Sequence, residues 1–290
     1  MEPGTVTWRE LLAEATDRLR RHGSATDPRR IVEEASGAEG AELALVLDDA
    51  VTEGGVARFD SMVARRAEGE PLQYVLGHWG FRDLDLMVDE RVLIPRPETE
   101  QVVEVALREL DRLGGRELPT KVVDLGTGSG AIALAIASER VRTSVWATDK
   151  SADAVAVARA NLVGLGRPAA RVSICEGDWF EALPVDLAAE VHLIVTNPPY
   201  VPEAESLPAE VVDWEPAGAL RSGADGLDDI RRILSEAPRW LEREGAVVCE
   251  LSPEQADAAA ALAVARFNEV EVAPDLAGRP RALVARGPRP

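Results

Sequence analysis

Only two cysteines, Cys175 and Cys249, and three histidines, His22, His78 and His192, occur in the sequence. Neither cysteine has a Cys-x-x-Cys partner or a Cys/His cluster beside it, so nothing here builds a metal site. Both stand in apolar, strand-like contexts and are expected as reduced core residues. The histidines fall into no triad and no metal spacing, which removes the usual grounds for a hydrolase and leaves each a structural or surface role. Also missing is an apolar run approaching the roughly 20 residues of a membrane span. The Met1–Glu10 segment lacks the basic-then-apolar order of a secretory signal. A cytoplasmic chain without a membrane partner is therefore expected.

Basic charge is short as well: 32 Lys and Arg stand against 51 Asp and Glu, a net charge of −19. Bulk charge of this sign repels the phosphate backbone that drives most nucleic-acid binding, so a DNA or RNA substrate is disfavoured, although a local basic groove is compatible with it. With 46% hydrophobic and 29% charged residues the composition is that of a globular chain. Domains most often hold about 100–150 residues, so 290 residues allow one α/β core and a second small domain.

The N-terminal stretch to about Ala67 reads as helical. Thr7-Trp8-Arg9-Glu10 has the spacing of a capping box, and Trp8, Leu11, Leu12, Ala15 and Leu19 form an apolar stripe. Asp27-Pro28 reads as an N-cap with a first-turn proline, for a helix that stops before Gly37. Further helices are expected near Glu39–Leu47 and over Glu53–Ala67. Between Gly69 and Pro97 the period changes: Leu84, Leu86 and Val88 alternate with polar partners, as in a β-hairpin linker. A helix over Glu98–Leu113 follows. Strands are then expected at Lys121–Leu125, Ser144–Thr148, Arg171–Cys175, His192–Thr196 and Ala246–Leu251. They alternate with helices at Ala131–Glu139, Ala152–Val163, Asp228–Glu242 and Glu254–Ala265, an order that argues for a parallel sheet. Asn268–Ala273 and Arg281–Ala285 should add an antiparallel partner at its edge. Three segments result: a helical domain over residues 1–70, a linker over 71–97 and an α/β domain over 98–290.

The strand at Val122-Val123-Asp124-Leu125 runs into Gly126-Thr127-Gly128-Ser129-Gly130 and a helix, so glycines sit where the chain turns sharply and a ligand can approach the backbone. Such a loop suits a dinucleotide as well as S-adenosylmethionine (SAM). Asp149, at the end of the next strand, can accept hydrogen bonds from two ribose hydroxyls, or cap the helix that begins near Ser151. At the end of the third strand Asp178 can receive an adenine amino group and Trp179 can flank the ring, or serve as a core aromatic. The fourth strand ends in Asn197-Pro198-Pro199-Tyr200. Two prolines fix the backbone and remove two donors, leaving the Asn197 side chain and the Pro198 carbonyl as a rigid pair of acceptors for a planar NH2 group. An amide nitrogen is a poor nucleophile because its lone pair is delocalised. Holding both N–H bonds turns that lone pair toward a methyl carbon, and orientation then supplies most of the acceleration. Tyr200 is placed to face a sulfonium charge.

Pro71–Gly77, Leu93–Glu100, Asp124–Gly130, Asp178-Trp179-Phe180 and Asn197–Tyr200, extended by Glu215-Pro216, Ala219-Leu220 and Gly226-Leu227, carry a specific likeness. The sequence resembles the peptide chain release factor glutamine N5-methyltransferases, the PrmC/HemK family, from about Pro71 to Arg286. The resemblance implies a Rossmann-like, SAM-dependent methyltransferase domain with a seven-stranded sheet, preceded by a small helical domain and a β-hairpin linker. It implies that Gly126–Gly130, Asp149, Trp179 and Asn197 bind SAM, released as S-adenosylhomocysteine, and that Asn197–Tyr200 hold the substrate glutamine. That glutamine belongs to the Gly-Gly-Gln loop of class 1 release factors, with the N-terminal domain setting partner choice. Arg96-Pro97-Glu98-Thr99-Glu100 favours release-factor enzymes over ribosomal-protein glutamine methyltransferases. Ser252 departs from the pattern, which leads one to expect glycine after the Glu-x pair at Glu250-Leu251. The chemistry also admits a DNA adenine N6-methyltransferase. The glycine loop alone admits an NAD-dependent oxidoreductase, in which Asn-Pro-Pro-Tyr has no role, and a non-catalytic binding module. The enzyme is expected to be a monomer.

Overall fold

Thr7 opens the first helix, Trp8–Arg18 (α1), through the expected capping box: its hydroxyl accepts from the Glu10 N–H while the Glu10 carboxylate accepts from the Thr7 N–H. The structure, a computed structural model, describes residues 5–20 and 25–289. His22 and the first four residues of the Met1–Glu10 segment lie outside these. Helices Asp27–Ser36 (α2), Leu43–Val46 (α3), Glu53–Ala67 (α4) and Leu72–Leu76 (α5) follow. One compact unit contains the chain up to His78 together with Pro208–Trp214. Trp8, Leu11, Ala15 and Leu19 are buried in it with Ile31, Val32, Phe59 and Val63.

Several expectations for this unit need correction. Asp27 is the first residue of α2, not its cap, because its buried carboxylate is taken by the Arg66 guanidinium at 2.8 Å. Thr26 stands at the cap position instead. The helix expected near Glu39–Leu47 contracts to the single turn of α3. Within the segment expected to be linker, Leu72–Leu76 is helical, its end marked by Gly77 at φ 83°.

The second unit holds Trp79–Leu207 and Glu215–Pro290. A hairpin of His78–Phe81 (β1) and Leu84–Met87 (β2) leads to Pro97–Arg112 (α6). Then come Thr120–Leu125 (β3), Ala131–Glu139 (α7), Thr143–Asp149 (β4), Ala152–Gly164 (α8), Val172–Glu176 (β5) and Val191–Thr196 (β6). Ala209–Trp214 (α9), too short to leave a periodic signature in the sequence, packs in the first unit, where Arg66 donates to Glu210 at 3.0 Å. The remainder is Asp228–Glu236 (α10), Leu241–Glu250 (β7), Ala256–Val264 (α11), Phe267–Pro274 (β8) and Pro280–Pro288 (β9). The helix expected to run to Glu242 stops at Glu236. Pro238 lacks the N–H that an α-helix requires, so the chain passes through a short 3-10 turn and is already β7 at Leu241. Arg171 likewise belongs to a 3-10 turn, not to the strand that follows.

The seven strands lie in the order β5-β4-β3-β6-β7-β9-β8. β5 through β7 are parallel, β9 runs antiparallel to β7, and β8 antiparallel to β9. Strand periodicity sorts the core: Val122, Val248 and Val284 pack with α6, α7 and α8, while Val123, Val247 and Leu283 face α10 and α11. From β3 the chain winds outward through β4 to β5, then returns to place β6 on the other flank of β3. The winding reverses between β3 and β6, and the carboxyl ends of these two strands therefore open a crevice. Cys249 is buried, whereas Cys175 is only half-buried at the β5 end, a correction to its expected core position. No described helix is long and apolar enough to cross a membrane.

Burial makes the Arg66–Asp27 pair a strong test of the first unit, since removing Asp27 leaves the buried Arg66 guanidinium with the more exposed Glu210 as its remaining counter-charge. Asp27→Ala should lower its stability by about 2–3 kcal/mol, the cost of leaving a buried charged donor without one of its partners, read as lost hydrogen-exchange protection in α2 and α4. A loss under about 1 kcal/mol, the range of exposed pairs, would contradict the burial of this pair.

Candidate active site

Gly126 leaves β3 with φ 71°, a conformation that disfavours any side chain, and an added Cβ would stand 3.1 Å from the Trp179 ring. The loop is braced from below. Asp124, fully buried, accepts at Oδ2 from the Thr127 hydroxyl (2.6 Å) and from the Ala133 N–H of α7 (3.1 Å). Its Oδ1 is buried without a described partner. Burial pushes this carboxyl up to about 7. Asn161 on α8 braces the loop from the side, donating to the Ser129 carbonyl at 2.9 Å while both its amide atoms bond the Met87 backbone at the end of β2.

A cavity of about 300 Å³ opens over this loop. Among its lining residues are Gly126, Gly128, Asp149, Asp178, Trp179, Asn197 and Pro199, all candidates from the sequence. Thr127, Ser129, Gly130, Pro198 and Tyr200 are not among them; Thr127 and Ser129 are buried beneath the loop, and Pro198 is buried within the fourth-strand turn. Ser151, not Asp149, caps α8, its hydroxyl accepting from the Ala154 N–H. The Asp149 carboxylate instead accepts from the N–H groups of Gly128 and Ser151, each at 2.9 Å, which holds it at the cavity wall. Trp179 is buried and also lines the cavity. Its φ of 50° is unusual for a side-chain-bearing residue, and the Thr148 hydroxyl fixes it by donating to its carbonyl. The Asp178 carboxylate already receives Arg232 from α10.

Sequence reasoning assigned no role to the opposite wall. Arg91, Val92 and Leu93 line it with Pro216, Gly218 and Ala219. Glu215, almost fully buried, ties these two segments by accepting from the Ile94 N–H and the Arg96 guanidinium. The signal was present in the family likeness of Leu93–Glu100 and Glu215-Pro216, but the pairing is visible only in three dimensions.

Asn197 donates from Nδ2 to Thr99 Oγ1 on α6 at 3.2 Å, and none of the described hydrogen bonds takes up its Oδ1. Thr99 in turn donates to Glu250 Oε2 at 2.7 Å, and the Tyr200 hydroxyl approaches Glu250 Oε1 at 3.4 Å. Tyr200 is thus anchored to Glu250, and burial beside that carboxylate raises its phenol above its ordinary range. Gln255 holds the same loop from beyond β7, donating to the carbonyls of Tyr200 (2.8 Å) and Asp225 (3.2 Å). Gly226 must lack a side chain, because a Cβ there would fall 2.2 Å from the Tyr200 carbonyl oxygen. Ser252 takes φ −75°, which any residue adopts, so the departure from glycine introduces no backbone strain. Among the described residues no group of three or more His, Cys, Asp or Glu is placed to hold a metal ion. His78 bonds Glu34 and His192 accepts from the Lys121 N–H.

A family model described as the PrmC N-terminal domain matches residues 10–77, and one described as a methyltransferase small domain matches residues 104–213. The release factor glutamine methyltransferase of Rhodopirellula baltica is 38% identical over 289 residues, covering 97% of this chain and 96% of that protein. Its namesake from Xylella fastidiosa is 40% identical over 280 residues, covering 96% and 97%. Among solved structures the hMettl16 catalytic domain aligns with a TM-score of 0.53 at 13% identity, covering 95% of this chain and 90% of that one, a likeness of fold.

The glycine loop yields a direct test. Gly126→Ala should cost about 1–2 kcal/mol from the left-handed backbone alone and push the Trp179 ring out of place. A lowered melting temperature together with a changed tryptophan emission is expected. An unchanged spectrum would mean that the ring does not rest on Gly126.

Proposed function

The chain belongs to the release factor glutamine methyltransferases, and on that premise we propose that it methylates the side-chain amide nitrogen (N5) of the glutamine in the Gly-Gly-Gln loop of a class 1 release factor, using SAM. The observation that carries this reading is Asn197: it lines the same cavity as Gly126, Gly128 and Asp149 and gives its Nδ2 to Thr99. An oxygen acceptor thereby remains for the substrate.

The cavity suits SAM in size and chemistry. Its volume of about 300 Å³ lies at the lower end of small-molecule sites. Asp149 supplies a fixed carboxylate for ribose hydroxyls, Trp179 and Asp178 offer a ring face and an acceptor for the adenine, and Gly126 and Gly128 allow close approach to the backbone. SAM, when bound, supplies a methyl carbon on a sulfonium sulfur, which a weak nucleophile can attack if correctly aligned.

Alignment is the work of Asn197-Pro198-Pro199-Tyr200. Asn197 Oδ1 and the Pro198 carbonyl accept the two N–H bonds of the glutamine amide and orient its lone pair. Both prolines are buried and Tyr200 is anchored to Glu250, so these acceptors need no rearrangement as the reaction proceeds. Action as a monomer is part of this proposal. A release-factor substrate is consistent with a cytoplasmic enzyme, and the first unit is the part we assign to recognising it. The net charge of −19 suits a partner with basic surfaces better than it suits DNA.

Transfer of radiolabelled methyl from SAM should mark a purified release factor and vanish when its Gly-Gly-Gln glutamine is replaced. Asn197→Ala should lower turnover about 10²–10³-fold, the usual effect of removing one preorganised hydrogen-bonding group, with the fold retained. Label in a ribosomal protein or in unmethylated DNA instead would overturn the substrate, and near-normal turnover by the variant would overturn the mechanism.

A further inference from the structure

The Asn197 side chain can serve as an acceptor only if its amide faces the right way. Asparagine presents oxygen on one side and NH2 on the other, and the two are nearly equal in size, so packing alone does not choose between them. Turned over, Asn197 would offer donors to a substrate NH2 group, and donor would meet donor. Something beneath Asn197 must fix the choice.

Two residues stand there. Thr99 Oγ1 lies 3.2 Å from Asn197 Nδ2 and 2.7 Å from Glu250 Oε2. Glu250 is 1% exposed, at the end of β7, and its other oxygen meets the Tyr200 hydroxyl. An ionised carboxylate only accepts hydrogen bonds, so Thr99 must spend its single hydroxyl hydrogen on Glu250. Thr99 can then only accept from Asn197, which brings Nδ2 down and leaves Oδ1 on the upper side. The direction of one hydrogen bond is passed through a hydroxyl to the next.

We propose that Thr99 and Glu250 are positioning residues that set the orientation of the Asn197 amide, the ionised Glu250 carboxylate forcing the acceptor side of Asn197 toward the substrate. This deepens the proposed function and rests on it. A protonated Glu250 carries a hydrogen of its own and no longer compels Thr99 to donate to it. Thr99 is then able to donate to Asn197 Oδ1, and the amide turns over into the unproductive orientation.

The surroundings place that titration in a useful range. Burial pushes the Glu250 carboxyl up to about 7, the bonds from Thr99 and Tyr200 and the charge of Arg281 on β9 oppose the rise, and Glu98 on α6 adds to it. Cys249, its neighbour on β7, has a thiol pushed up by its own burial and by Glu250, and Arg96 faces the Tyr200 side of the group. The active form is the ionised one, which accumulates as pH rises through the folded-state value. Turnover should therefore climb with pH across neutrality.

The experiment is the pH dependence of release-factor methylation at saturating SAM between pH 5.5 and 9, for the wild-type chain and three variants. Wild type is expected to rise with a midpoint near 7. Glu250→Gln cannot ionise, so its profile should be flat in that interval. Asp124, whose carboxyl burial also raises to about 7, remains intact in this variant and supplies an internal control. Thr99→Val, which keeps the shape but breaks the relay, should lose about 10²-fold in kcat, as misplacement of a reacting group does, with SAM affinity by calorimetry unchanged. Thr99→Ser should restore most of the rate. A pH rise that survives in Glu250→Gln, or a Thr99→Val enzyme with wild-type kcat, overturns the inference while leaving the proposed function standing. A wild-type chain that labels no release factor at any pH overturns the proposed function, and this inference with it.

Discussion

The parallel pairing of β3 with β6, which sets Leu125 beside Thr196, is the constraint from which the site follows. Winding runs outward from β3 in one direction and resumes from β6 in the other, so the loops leaving the carboxyl ends of these strands diverge and cannot cover one another. One of them is the glycine loop and the other begins at Asn197. The Thr196 hydroxyl donates to the Leu125 carbonyl at 2.7 Å and locks the two exits together. A crevice formed in this way puts the glycine loop and the Asn-Pro-Pro-Tyr loop side by side without either having to bend toward the other.

Rigid loops at the end of a sheet need support from groups that are themselves buried, and burial sets the chemistry of those groups. Asp124 lies under the glycine loop and Glu250 under the Asn-Pro-Pro-Tyr loop; both are almost inaccessible and both are pushed up to about 7. Each carboxyl accepts a short bond from a threonine hydroxyl, Thr127 in one case and Thr99 in the other. A carboxylate buried this deeply costs stability unless it is hydrogen-bonded. Its persistence beneath both loops reflects what short, strong acceptor bonds do there: they hold a turn in one conformation where an apolar residue would only fill space.

Periodicity made the elements of the second unit legible. Alternating Val, Ile and Leu located the strands to within a few residues, because both faces of a parallel sheet are buried and the runs are accordingly apolar. The cavity lining was legible where a motif forces backbone geometry, as at Gly126, Gly128, Asn197 and Pro199. It was not legible where side chains meet across long separations. Thr99 and Glu250 are 151 residues apart in the chain, and Ile94 and Glu215 are 121 apart; no local pattern announces such pairs. Asp27 failed for a related reason, since local spacing made it a cap while Arg66, 39 residues on, claimed its carboxylate. Short helices such as α5 and α9 carry too few turns to leave a periodic signature.

On the proposed reading, the wall tied by the same long-range pairs matters because the Asn-Pro-Pro-Tyr loop alone leaves the chemistry open. Any planar NH2 group could meet the Asn197 and Pro198 acceptors, an adenine as readily as a glutamine. What differs is the wall around them. Arg91–Leu93 and Pro216–Ala219, latched by Glu215, enclose the cavity, and the chain as a whole carries a charge of −19. A flipped base would have to bring its phosphates past that charge, at a cost the base contacts would have to offset. A side-chain amide on a protein loop brings no phosphates. On that reading, selectivity for a protein glutamine over a nucleobase does not need to reside in the two proposed acceptors, which leaves the loop free to serve orientation alone.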